Sequence, residues 1–439
     1  MPSTSIKRLD IAIEANYMNR PSGSATPDET GLTWTACEFS DASQVVAVGS
    51  TQTLETNAST GGFGKNPGEA LIDPSTGLPV KNGSMTIDFY LRGGLQDGGA
   101  LPAGQDMLLA LLWTRFAYSS EEAETTSAAV STTGAVTLPS AASSYQFIPV
   151  TMDDGRLTYG LAAAATTSPR LLPVRSYSAG YTGTAVVPAV GGDSWLTTWK
   201  IDSVGGDPIA LGSRSVALRL SGDGWQQIVH GATLTAVTIS CDGDGRAIKC
   251  SCTVDCPYIV DVAEADIVEP DYPTINAGPV LHSLGSPAII YSQVGSTVPG
   301  LGGGPCMASW SINLSWQTVG TQCGSYWSGR GPLEAVGLDA TVDMTIGSLP
   351  YDTISTLQMA WRTSQTLQVL IPFGGDVSDD ATPAPFGGGI VLPAAILANG
   401  DFTNPDLSGD AVQVSLQLNL SQLPLISGLL SPLFVMGVF

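Results

Sequence analysis

Four thiols crowd one stretch of this chain: Cys241, Cys250, Cys252 and Cys256. Thiolates are soft metal ligands, and a tetrahedral zinc site takes about four such side chains. The spacing points elsewhere. Zinc knuckles use a two-residue gap between paired cysteines, whereas residues 246–256 carry Cys-x-Cys-x-x-x-Cys in a run that reads as a strand. Strand residues alternate faces and advance about 3.3 Å each, which spreads these three thiols over about 20 Å. Cys250, Cys252, Val254 and Cys256 then share one face, with Lys249, Ser251, Thr253 and Asp255 on the other. Free cysteine is among the most buried residue types. A thiol-lined core face is the expected role, with a metal site on Cys241, Cys250, Cys252 and Cys256 as the alternative.

Other chemistry-bearing residues are sparse. The Asp-Gly-Asp-Gly loop at 242–245 resembles the start of a calcium loop, but its glycines come early and no glutamate follows at the twelfth position, so a hairpin turn is expected. There are two histidines, His230 and His282. A hydrolase triad needs one of them beside a nucleophile, and no nucleophile-elbow string occurs, so both are expected at strand ends or in loops. Gly302, Gly303 and Gly304 lead into Pro305 and a strand, which does not cradle phosphate as a helix N-terminus does. The adjacent acids Asp153 and Asp154, and Asp379 and Asp380, read as solvated loop residues. A glycosidase would hold two carboxylates on separate strands about 5–9 Å apart. Trp195, Trp199, Trp310, Trp316, Trp327 and Trp361 suit either a sugar-binding face or a core, and the shared parity of Trp310 and Trp316 with Ile312 and Leu314 assigns those two to the core. No catalytic, cofactor-binding or metal-binding residue is expected, and no enzymatic activity.

These residues must be positioned by strands. Runs at 216–220, 233–240 and 246–256, separated by Asp/Gly turns, read as an antiparallel meander. At 8–15, Leu9, Ile11 and Ile13 oppose Asp10, Ala12 and Glu14; at 83–93, Met85, Ile87, Phe89 and Leu91 oppose Thr86, Asp88, Tyr90 and Arg92. One helix is expected at 102–113, with a proline at its start. Further strands are expected at 147–150, 156–160 and 194–201. In the second half, 308–316, 336–346 and 412–420 alternate cleanly. Residues 357–372 read as a pair of β runs and 392–398 as a short helical turn. The polar segment 16–81 reads as an arm or loop, and 123–144 as a linker or loop. An acidic, proline-containing stretch at 264–274 divides the chain into two β domains, 1–265 and 275–439.

Composition agrees with a turn-rich, mainly β protein: 51 Gly and 29 Pro in 439 residues, and only 13% charged residues. The net charge of −22 disfavours a grip on duplex nucleic acid or an anionic membrane surface, but suits a surface past which a polyanion slides. The opening residues run into Asp10 and Glu14 and not into an apolar stretch, so no secretory leader is expected. The uncharged tail, 423–439, falls short of the roughly 20 residues a bilayer-spanning helix needs and is broken by prolines. Seven cysteines are expected to stay reduced.

Taken in order, the strand at 83–93, the helix at 102–113, the run 213–220, the phrase HGATLTAVTI from His230 to Ile239, the loop 242–245 and the closing strand 412–420 resemble the tail tube proteins of long-tailed bacteriophages. The resemblance covers the chain from residue 80 onward with gaps; residues 16–81 and 119–200 have no clear counterpart. It implies two tail-tube-like β-sandwich or barrel domains with a flanking helix, closing into rings by sheet pairing between subunits. It implies a homo-oligomer, either three chains supplying six domains or six chains, stacked into a tube through which DNA passes without specific binding. It further implies contacts with other tail proteins and a place in the virion tail, assembled in the host cytoplasm. The alternative is a virion-surface or extracellular carbohydrate-binding β-sandwich, such as a decoration or receptor-binding protein.

Overall fold

Runs with one apolar and one polar parity bury a single face each, and satisfy their backbones by pairing edge to edge. The computed structural model describes residues 6–22, 24, 26–40, 50–51, 53–54, 69–70, 72, 77, 79–92, 111, 114–115, 117–121, 127–130, 147–152, 157–162, 171–173, 183–186, 196–201, 214–241, 247–262, 267, 280–281, 289–292, 307–322, 330–347, 351–373, 388–399, 413–421 and 434–438. The protein is mainly β. Sixteen strands form one antiparallel sheet that is open within the chain. A separate five-stranded sheet comprises Ser127–Val130, Phe147–Met152, Leu157–Ala162, Leu171–Pro173 and Gly183–Val186.

The strands that build the large sheet are β1 (Arg8–Ile13), β2 (Thr35–Cys37), β3 (Ser50–Thr51), β4 (Lys81–Tyr90), β5 (Val216–Gly222), β6 (Trp225–Cys241) and β7 (Ile248–Asp261). Then follow β8 (Ile289–Ser292), β9 (Met307–Gln322), β10 (Arg330–Gly347), the helix α1 (Tyr351–Arg362), β11 (Leu367–Phe373), β12 (Gly388–Leu397), β13 (Gln413–Leu420) and β14 (Phe434–Val438), and the remaining two of the sixteen strands are Ala117–Glu121 and Leu196–Ile201, which continue the sheet beyond β14.

One plan is used twice. In the first half the strands lie in the order β3, β4, β7, β6, β5, β1. In the second half the order is β9, β10, β13, β12, β11, β8. Each strand has its counterpart at the same place in both sheet order and chain order, and every pairing is antiparallel. A helix follows β4, where Leu111 is helical, and α1 follows β10 at the corresponding place. The five-stranded sheet is therefore an insertion into the first unit. The two units join where β6 pairs β9, from Ala236 opposite Ser315 to Cys241 opposite Trp310, and the first half also reaches the second where Leu196–Ile201 pairs β14.

Apolar rows meet in a common core. Phe89, Cys250, Ile239, Ile312, Val342 and Leu418 form one row across six strands, and Leu9, Ile11, Leu218, Val369, Ile371 and Phe434 belong to the same buried cluster. No helix among the described residues is long and apolar enough to cross a membrane.

Several local expectations are corrected. Residues 351–362 are helical because Ile354, Leu357 and Ala360 recur at helical spacing; only 367–373 is a strand. Residues 392–397 belong to β12 and Ala398 follows it, so there is no helical turn at 392–398. That run is apolar throughout and buried, a pattern that does not separate strand from helix, and the ladder shifts register beside Pro393, which has no N–H to give. The presumed linker contains the strand Ser127–Val130. Apart from Leu111, the helix at 102–113 lies outside the described residues, as do His282, Asp153, Asp154, Asp379, Asp380, Trp195, Trp327 and the loop 242–245.

Candidate functional site

Six strands, in the order β4, β7, β6, β9, β10 and β13, present a continuous polar face opposite the core rows. Registers place Tyr90, Lys249, Ser240, Ser311, Asp343 and Gln417 in one line across it. Asp88, Ser251, Thr238, Asn313, Thr341 and Asn419 form the next. Hydrogen bonds tie neighbouring strands along these lines. Ser251 Oγ donates to Asp88 Oδ1 at 2.6 Å, Thr238 Oγ1 to Asn313 Oδ1 at 3.0 Å, and Asn313 Nδ2 to Asp343 Oδ2 at 3.4 Å.

The charge on this face is one-sided. Among the described residues its acids are Asp88, Asp255, Glu334, Asp339 and Asp343, and its base is Lys249, whose ammonium lies 2.6 Å from Asp88. Glu334, Asp339 and Asp343 therefore dominate the β10 part of the face. Its aromatic residue among those described is Tyr90; Trp310 and Trp316 face the core, at 2% and 8% exposure.

Cys250, Cys252 and Cys256 are wholly buried on the core face of β7, and Cys37 and Cys241 are buried as well. Among the described residues no three His, Cys, Asp or Glu side chains converge on a metal position, because alternate residues of a strand diverge along its length. Burial pushes the thiols of Cys250, Cys252 and Cys256 far up, the first further raised by its neighbour Cys252 and by Asp88. Since the thiolate is the reactive form, iodoacetamide at pH 8 should leave these three unmodified in the native protein and modify them in denaturant. Peptide mass spectrometry that finds native-state labelling of Cys250 or Cys252 within minutes would contradict this packing.

Two buried polar clusters were not visible as sites in the sequence. At the first, β6 pairs β5 as far as Ala232 and β9 only from Ala236, and its ladder with β7 shifts register between Leu234 and Ala236. Leu234 therefore falls in the gap between β5 and β9, and its N–H and C=O find side-chain partners there. Thr114 Oγ1 accepts the Leu234 N–H at 3.2 Å, and Arg115 Nε donates to its carbonyl at 2.8 Å. Arg115 Nη1 also donates to Leu333 O of β10 at 3.1 Å, so one guanidinium bonds both units. Desolvation lowers its pKa to about 10, against a smaller opposing pull from Asp255, which leaves Arg115 charged at neutral pH.

The second cluster centres on Glu14. Its carboxylate accepts from Met18 N at 3.1 Å, from Gly231 N at 3.1 Å, from the Ser215 hydroxyl and from His230 Nδ1 at 3.1 Å. Asp10 and Glu14, assigned to a wet face by alternation, are thus both buried, at 1% and 3% exposure; Asp10 is bonded by Arg8 and Arg219. His230 sits mid-strand in β6, not at a strand end. Serine, histidine and glutamate do meet here, but the hydroxyl bonds the carboxylate, where an acyl-transfer relay would place it on the imidazole. The result is a clasp that holds the turn Tyr17–Asn19 against β6. Gly231 suits it twice over: its φ is +74°, and a Cβ there would lie 2.7 Å from Met18 Cγ.

Comparison of the chain with protein-family models and with curated proteins gives no match.

Proposed function

We propose that this protein is a structural subunit of a phage-type tail tube, and that the polar face of β4, β7, β6, β9, β10 and β13 lines its channel. The observation that carries the reading is that face: a continuous antiparallel wall, sealed by core on one side and lined on the other mainly with hydroxyl, amide and carboxylate groups, with Lys249 paired to Asp88. Short uncharged polar groups hydrate well and offer a phosphate backbone no cation to hold. Asp339 and Asp343 repel it. The sequence resemblance to tail tube proteins and the acidic balance of the whole chain point the same way. In this reading copies associate through sheet edges and function resides in assembly, with DNA passing and not bound.

Electron microscopy of the purified full chain tests it. Closed rings or tubes are expected, with these six strands around the opening. A discrete globule at micromolar concentration, or a ring whose opening is lined by another surface, would reject it. A charge test adds a second readout. Assembled wild-type protein should leave a labelled DNA duplex unbound at about 50 mM salt, while the D339K/D343K double variant should retain DNA at that salt and release it as salt rises. Retention by the wild type, or indifference of the variant, would count against an acidic channel wall.

A further inference from the structure

The repeated plan makes the internal junction a template for an external one. Within the chain, the end of the first unit's helix is wholly covered: Leu111 and Thr114 are 0% exposed and Arg115 3%. The cover includes the second unit, since Arg115 bonds Leu333 of β10 and β9 runs along β6 beside it. The corresponding helix end of the second unit, at the close of α1, has no third unit to meet. Ile354, Leu357 and Ala360 face its own core, but Met359 is 60% exposed and Trp361 41%, and Arg362, Thr363 and Ser364 are exposed beyond them. Met359 and Trp361 are thus large apolar side chains that the chain itself leaves uncovered at this helix end.

We propose that Met359, Trp361 and Arg362 of α1, with the adjoining end of β12 at Ile396 and Leu397, receive the first unit of a second copy, as the helix end at Leu111–Arg115 and the end of β6 receive the second unit within the chain. The contact is head-to-tail, because the receiving surface belongs to the second unit and the received one to the first. Such heterologous contacts close into rings or propagate as filaments. The inference rests on the tube reading only for closure; head-to-tail association follows from the repeat alone.

The test is the M359E/W361E variant of the full chain, compared with wild type by native mass spectrometry and by thermal unfolding. Both side chains are exposed, so the melting temperature of the monomer should not shift. Wild type is expected to form multimers and the variant to remain a single chain. Wild-type rings that survive both substitutions would overturn this contact and leave the tube reading standing. Open filaments or dimers that the substitutions dissolve would uphold the contact and reject the tube. A wild-type protein that stays monomeric at tens of micromolar would overturn both.

Discussion

Glu14→Ala should lower the stability of the fold by about 3–5 kcal/mol, because removing one partner of a buried, hydrogen-bonded charge leaves the others uncompensated. The losers are identifiable: the N–H groups of Met18 and Gly231, the Ser215 hydroxyl and the Nδ1–H of His230. These groups come from the turn after β1, the start of β5 and the middle of β6, so their release frees the N-terminal segment from the sheet. Glu14→Gln keeps an acceptor oxygen in the same place and should recover part of the loss. Urea unfolding followed by tryptophan fluorescence measures both. A Glu14→Ala midpoint indistinguishable from wild type would show that the clasp does not hold the strap.

Arg115→Met should cost about 2–4 kcal/mol, since it keeps the aliphatic stem but strips two buried carbonyls of their donors, at about 1–3 kcal/mol for each group left unsatisfied. The carbonyls lie in different units, at Leu234 and Leu333. The loss should accordingly be concentrated at the junction. Hydrogen exchange is expected to rise in β9 and in the Leu333 end of β10, with β1 and β5 little changed. Arg115→Lys, with one ammonium that cannot span both carbonyls, should fall between. Uniform exchange across the sheet, or no change in β9, would mean that the units are coupled by strand pairing alone.

Alternation carried much of the fold. The one-faced patterns at 83–93, 246–256, 308–316 and 336–346 become β4, β7, β9 and β10, and the thiols of Cys250, Cys252 and Cys256 lie on the apolar parity with Val254. Trp310 and Trp316 are core residues for the same reason. Alternation misled where burial is two-sided: Asp10 and Glu14 share the polar parity of β1, yet both are covered, and the apolar run of β12 mimicked a helical turn. Helical spacing at Ile354, Leu357 and Ala360 was present in α1 but interrupted by polar residues that also fit β runs.

What the sequence determined by itself is local: which residues alternate, where glycine and aspartate turn the chain, and that its charge is strongly negative. Only the tertiary structure decided which strands lie side by side, and hence that the same order of strands occurs twice and that six of them share one polar face. It alone brings Glu14 to Gly231 and Arg115 to both Leu234 and Leu333. The reason is physical. Parity is a property of neighbours in the chain, whereas a buried carboxylate or guanidinium is satisfied by backbone groups two hundred residues away, which carry no side-chain signature in sequence.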